Sequence, residues 1–169
     1  DVARGDGKDY SVFHIFKLDT MEIIAEYQGK VTPDIFSQII ADAGREYGNC
    51  MTVVENNTVG FAVLSKLKEL EYPNIYYSIK SSHEYAVAGF TTSLKTRPMI
   101  VAKMEEFVRN KLVKVYSSRL LNEFQTFIWN NGRAQAMRSY SDDLVMAFAI
   151  GCWIKDTVYT ESQRDKQYQ

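Results

Sequence analysis

A mixed α/β domain is the fold class this chain predicts, and three observations predict it. β-branched and aromatic residues alternate through the N-terminal segment, YSVFHIFKL and EIIAEYQG above all, which reads as strands joined by tight turns. The middle of the chain, from CMTVVENN to IYYSI, reads as strand, amphipathic helix, strand, the pattern of parallel pairing through a crossover helix. Toward the end, an Asn-Asn-Gly hairpin signal precedes the apolar helix DDLVMAFAIGCWIKD. At 169 residues the chain is long enough for one domain with a sizeable core.

The elements follow in order. DVA, a glycine turn and then YSVFHIFKL and EIIAEYQG predict a three-stranded meander. Thr32-Pro33-Asp34 starts a helix, with Thr as N-cap and Pro at the first helical position. Its apolar residues are Ile35, Phe36, Ile39, Ile40 and Ala43, and it ends near Tyr47-Gly48. CMTVVENN is a short apolar run that turns to acid and amide, as a buried strand opening into a site would. Val59, Val63, Leu64, Leu67 and Leu70 then form a helical stripe, and the Tyr72-Pro73-Asn74 break leads to the strand IYYSI. A second long helix spans Pro98 to about Lys111. VKVY is a short strand, SSRLLNEFQTFIW a helix running into a strand, and Ser141 caps the last helix. ESQRDKQYQ reads as a fraying polar tail.

Hydrophobic residues make up 46% and charged residues 24%, the balance of a globular protein. No apolar run approaches the ~20 residues of a membrane span, so no membrane partner is expected. Cys50 and Cys152 lack CxxC spacing and sit in apolar surroundings, which reads as buried thiols without zinc or disulfide. His14 lies inside a strand run and reads as packed, and Met99, Met104, Met137 and Met146 read as core. The net charge of −1 hides an uneven distribution. Between Lys80 and Arg138 stand ten Lys/Arg against four Glu, while the carboxylates collect in the first third and at Asp142-Asp143. A basic stretch with a separate acidic cluster suits a polyanion held beside a metal.

Three acidic positions share one structural logic. Asp1 stands in the strand-like DVA before the glycine turn. Glu55 ends the apolar run TVV, where an acid costs energy unless paired or bound. Asp142 and Asp143 open an apolar helix, whose N-terminus keeps them ionised. Ligands in open α/β sheets gather at carboxyl ends of strands. Two divalent ions about 4 Å apart need hard oxygen ligands, and three or four carboxylates supply them. DVARGDGKDYS itself lacks the GxxxxGK[ST] spacing of a P-loop and the oxygen side chains of a calcium loop. A strand, turn and strand remain, with Asp1 as ligand and Asp9 directed back toward the site.

DVARGDGKDYS, VVENN-x-x-G, GFTTSLKTRPMI and SDDLVMAFAI, in that order, resemble the nuclease domain of large terminase subunits, the DNA-packaging motors of T-even-like bacteriophages. The resemblance covers essentially the whole chain. It implies a single nuclease domain over 1–169 with an RNase H-like (resolvase-like) mixed sheet flanked by helices and an extra β-hairpin. It implies an Mg²⁺- or Mn²⁺-dependent endonuclease that cuts concatemeric double-stranded DNA during headful packaging, by two-metal-ion hydrolysis. Asp1, Glu55 and one of Asp142 and Asp143, with Asp142 preferred, match the family's catalytic acids, and Asp9 matches an outer or weaker one. In the family, the partners are an ATPase domain in cis, the portal ring and the small terminase subunit, and the place of action is the infected bacterium's cytoplasm at the procapsid portal. No Walker-type motif occurs here, and the chain starts at the catalytic aspartate, so the first strand is expected to be cut short and the chain to be a piece of something longer.

Lys80, Lys95, Arg97 and Arg133 are the expected DNA contacts, because they fall in loops or turns where side chains can follow a phosphate backbone. His83 reads first as a plain surface-loop residue, with phosphate contact or protonation of a leaving group as the alternatives. Two other readings stand beside this one: a cellular RNase H-like resolvase or ribonuclease, and a non-catalytic module that docks DNA or a portal.

Overall fold

The structure, a computed structural model, describes residues 1–4, 7, 9–78 and 86–167, with side chains through 157. Two compact units make it up: Asp1–Val12 with Gln28–Ser93, and Phe13–Tyr27 with Leu94–Gln169. Strands β1 (Ser11–Lys17) and β2 (Glu22–Gly29) pair as a two-stranded sheet, and each unit takes part of both. None of the described helices is long and apolar enough to cross a membrane.

In the first unit, Asp1 and Val12 exchange both main-chain hydrogen bonds, at 3.0 and 3.1 Å. That is the bonding of an antiparallel pair, but the sheet has two strands, and the third strand expected of the meander is reduced to this one pair. Gly5, Asp6 and Lys8 of the turn lie outside the described residues. Helix α1 (Pro33–Glu46) starts after an extended Thr32 with Pro at its first position, as expected, and stops at Tyr47 and a left-handed Gly48. Its buried stripe is Phe36, Ser37, Ile40, Ala41 and Gly44, so Ile35 faces solvent instead of core. The Ser37 hydroxyl is buried without penalty because it donates to the Pro33 carbonyl at 2.6 Å.

The segment around residues 52–56 is extended and makes two isolated parallel bridges, Thr52 with Ile75 and Glu55 with Phe90. Helix α2 (Thr58–Glu69) is the crossover between the first pair, and Val63, Leu64 and Leu67 bury its apolar stripe. The expected strand–helix–strand unit is therefore realised, with bridges in place of a long ladder. Strands β3 (Tyr77–Ser78) and β4 (Val87–Ala88) pair antiparallel.

In the second unit, helix α3 (Thr96–Arg109) begins two residues before Pro98. Met104 is core, but Met99 is 42% exposed because the buried stripe runs through Ile100, Val101, Met104 and Phe107. VKVY contributes a single bridge: Lys114 bonds Met21 and Ile23 at 2.9 and 3.1 Å. Helix α4 (Ser118–Thr126), capped by the Ser117 hydroxyl on the Leu120 amide at 3.0 Å, runs straight into β5 (Phe127–Asn130). The chain turns at Asn131-Gly132, both at positive φ, and returns as β6 (Arg133–Ala136). The twist of such a turn requires that conformation, which Asn and Gly adopt readily.

Helix α5 (Asp143–Gln167) is buried nearly all round over its first three turns, through Leu144, Val145, Phe148, Ala149 and Cys152. It continues through most of the segment expected to fray, because Glu, Gln, Arg and Lys there are strong helix formers. Cys152 is a fully buried free thiol and Cys50 a half-buried one. Met146 is core, whereas Met137, following β6, is 44% exposed.

Candidate functional site

Glu55 is the acid most tightly defined by its surroundings. Val54, beside it, is buried, and the pair of bonds from Phe90 N–H to Val54 (2.8 Å) and from Asn56 N–H to Phe90 (2.6 Å) fixes the backbone on either side. The Asn56 amide donates to the Ala88 carbonyl at 3.0 Å. Asn57 caps α2, its side chain accepting from the Gly60 amide at 2.6 Å. Two glycines press against this turn. A Cβ at Gly60 would run into the Glu55 carbonyl oxygen, and one at Gly89, which sits at φ +81, would lie 2.5 Å from the Val54 carbonyl. The letters E-N-N-x-x-G and G-F thus have a shared physical cause: they hold a strand end and a helix start in close contact. Glu55 itself is half-buried, and its carboxylate has no partner among the described residues.

Asp1 is half-buried, and its Oδ1 accepts from the Val2 amide at 2.7 Å. Its backbone is fixed by Val12, and the buried Val2 and Ala3 follow it into the core of the first unit. Asp9 is exposed.

In the second unit the acids stand at the start of α5. The helix begins at Asp143, and the first intrahelical bond runs from Met146 N–H to the Asp142 carbonyl at 2.8 Å. The cap position therefore falls on Asp142, one residue beyond the expected Ser141. Ser141 still serves the turn: its hydroxyl donates to Asp143 Oδ2 at 2.6 Å and accepts from the Asp143 amide at 3.4 Å. Asp143 is only 8% exposed. Asp142 Oδ2 accepts from Arg97 Nη2 at 2.8 Å, and Arg97 also donates through Nε and Nη2 to the Ala134 carbonyl at 3.3 and 3.1 Å. Arg97 thus ties α3 to β6 and to the start of α5.

Two further groups reach this turn. Glu123 of α4 accepts from the Val145 amide at 3.0 Å, and its carboxyl is pushed up to about 7, by burial first and then by the charges of Asp143 and Asp142. His14 of β1 bonds the Leu144 carbonyl at 3.0 Å through Nε2, with Nδ1 3.6 Å from Glu26, and Phe16 and Phe148 pack edge-on to its ring. Its expected packed position is what the structure has, and burial lowers its pKa. The contribution of Glu123 was not expected. The available signal was an acid on the helical face shared by Leu120 and Phe124, inside an otherwise apolar stripe.

Of the expected DNA contacts, Lys95 is exposed just before α3 and Arg133 is exposed at the start of β6, beside the hairpin turn. Arg97 lies in the first turn of α3 instead of a loop, and its guanidinium is committed to Asp142 and Ala134. Lys80 and His83 lie outside the described residues. Among the described residues, no group of three or more His, Cys, Asp or Glu is gathered closely enough to hold a metal ion.

No family model and no curated protein sequence matches the chain. Solved structures do. The large terminase nuclease from thermophilic phage G20c with bound magnesium is similar at a TM-score of 0.71 and 20% identity, over 90% of this chain and 77% of that one. The same nuclease with bound cobalt gives 0.69 and 21%, over 90% and 77%. A third structure of it gives 0.65 and 19%, over 85% and 74%. The chain therefore has the mixed α/β fold of a phage large terminase nuclease domain, the fold class expected; where one mixed sheet was expected, its described strands form three two-stranded sheets.

Proposed function

We propose that the chain is a metal-dependent nuclease acting on double-stranded DNA, an Mg²⁺- or Mn²⁺-dependent endodeoxyribonuclease of a phage packaging motor. The observation that carries this is Glu55, a carboxylate without a partner among the described residues and set where the extended segment meets Phe90, in a chain whose fold is that of a terminase nuclease solved with magnesium bound. The proposed ligands are Asp1, Glu55, Asp142 and Asp143, with Asp9 as an outer or weak one.

The donor set fits a hard divalent cation, since every member is a carboxylate and none is a thiol or imidazole. The second unit adds a physical reason. Asp142 and Asp143 stand side by side at the start of α5, two carboxylates that repel one another, and Arg97 is paired to Asp142. A divalent cation relieves such repulsion. The chemistry that a bound pair of ions supplies is Lewis acidity on water and on the phosphodiester.

The residues of this chain do the rest. Arg97 orients Asp142 by holding one of its two oxygens, and Ser141 does the same for Asp143. The Glu55 backbone is held between the Phe90 bonds to Val54 and Asn56 and the close approach of Gly60, which fixes the point from which its side chain extends. Lys95 and Arg133, exposed and cationic, bind the phosphate backbone, with little sequence preference and strong salt dependence. Such binding suits a nuclease that cuts concatemeric DNA by headful measure, working with an ATPase domain, a portal ring and a small terminase subunit in the cytoplasm of an infected bacterium. Plasmid nicking with Mn²⁺, and its loss in Glu55→Gln, tests the reading.

A further inference from the structure

A helix that begins at Asp143 leaves the amides of its first turn without intrahelical acceptors. One is served at 3.4 Å by Ser141, a long bond. Another, that of Val145, is served at 3.0 Å by Glu123, which lies 22 residues earlier and on another helix. α4 fixes Glu123 in turn: Ser117 caps that helix and Leu120, one turn before Glu123, is fully buried. A side chain normally caps its own helix from the adjacent position; here the cap arrives from across the core of the unit.

We propose that Glu123 is a positioning residue for Asp142 and Asp143: by capping α5 from α4, it sets the turn that carries both aspartates. The inference rests on the proposed function for its reading of those aspartates as ligands. Arg97 on Asp142 and Ser141 on Asp143 orient the carboxylates, whereas Glu123 fixes the backbone beneath them. Its Oε2 accepts from a main-chain amide, which is what a cap does.

Glu123→Gln, Glu123→Asp and Glu123→Ala separate the alternatives. Gln keeps a carbonyl oxygen at the same reach and removes the charge, Asp withdraws the acceptor by one methylene, and Ala removes it. Mn²⁺ affinity is read by calorimetry on the folded protein, and hydrogen exchange at the Val145 amide is read by NMR. The expected result is near wild-type Mn²⁺ affinity and exchange for Gln. For Asp and Ala, affinity should be weaker by about 10–100-fold, the usual cost of losing an outer partner of a metal ligand, with faster exchange at Val145. If Ala lowers only the melting temperature and leaves Mn²⁺ affinity intact, the positioning role is overturned. If Gln loses as much affinity as Ala, Glu123 is itself a ligand and the proposal is equally overturned. Should the wild-type protein bind no Mn²⁺, the proposed function fails, and Val145 still decides the cap: exchange unchanged in Ala overturns it, and faster exchange supports it. Should Ala not fold, the Gln–Asp comparison carries the same two readouts.

Discussion

Replacing Gly60 with Ala tests the Glu55 turn directly. The added Cβ would meet the Glu55 carbonyl oxygen far inside the 3.0 Å that real Cβ atoms keep, and it would also lie 3.0 Å from the Glu55 carbonyl carbon and 3.2 Å from Asn57 Oδ1. The first obstacle is backbone, so no rotamer change relieves it. Either the strand end or the start of α2 has to move. Overpacking of this kind costs about 1–3 kcal/mol, and a clash with main chain belongs at the upper end, about 3 kcal/mol. For a chain of this length each kcal/mol lowers the melting temperature by about 2–4 °C, so the expected loss is about 6–12 °C. Gly132→Ala is the control. It also replaces glycine, and at φ +77, but nothing stands within 4 Å of its Cβ. Its cost is the left-handed backbone alone, about 1–2 kcal/mol, or roughly 2–8 °C. Thermal melts followed by far-ultraviolet circular dichroism measure both. Plasmid cleavage by folded Gly60→Ala should fall as well, because Glu55 moves with the turn. A Gly60→Ala protein that melts no lower than Gly132→Ala and cuts normally would refute the reasoning.

The carboxyl of Glu123 is raised from 4.5 to about 7. A raised folded-state value means that its contribution to stability is complete below about pH 4.5 and lost as pH rises through 7. Glu123→Gln should remove that loss, worth about 1 kcal/mol after allowance for solvent screening; urea midpoints at pH 5 and pH 8 check it, and equal differences from wild type at both pH values would contradict it. His14, lowered by burial, works in the opposite sense, so stability should fall as pH drops below 6.5 and His14→Gln should flatten that limb. Arg97→Ala should cost about 1–3 kcal/mol in denaturant melts, since it strands Asp142 and the Ala134 carbonyl, and Arg97→Lys should recover only part, because an ammonium lacks the planar fork. Lys95→Ala and Arg133→Ala should each weaken DNA binding uniformly across sequences and reduce the slope of log affinity against log salt by about 1, read by fluorescence anisotropy.

Much of the fold was legible because local signals agreed with one another. Thr32-Pro33 set the start of α1, Asn131-Gly132 set the β5–β6 turn, and the Val63-Leu64-Leu67 stripe set the buried face of α2. The strand–helix–strand middle was readable from its pattern, yet its pairing reduces to two bridges, a detail of register that no local signal carries. The start of α5 was misplaced by one residue because Ser141 has the right chemistry for a cap and Glu123 is invisible at a separation of 22 residues. Arg97 looked like a free cation for the same reason: its partner, Asp142, is 45 positions away. Asp1, Glu55, Asp142 and Asp143 could be picked out as acids at element ends, but only three-dimensional contacts explain why Glu55 is held as it is. Gly60 and Gly89 acquire their meaning through the carbonyls that they touch.

The most direct measurement is conversion of supercoiled plasmid to nicked and linear forms by the purified protein, with Mn²⁺ and with EDTA, for wild type, Glu55→Gln and Asp142→Asn. The account predicts cutting by wild type in Mn²⁺, none in EDTA and a loss of at least two orders of magnitude in each variant, about what removal of a charge-stabilising group costs. Cutting that persists in chelator, or in Glu55→Gln at the wild-type rate, would contradict it.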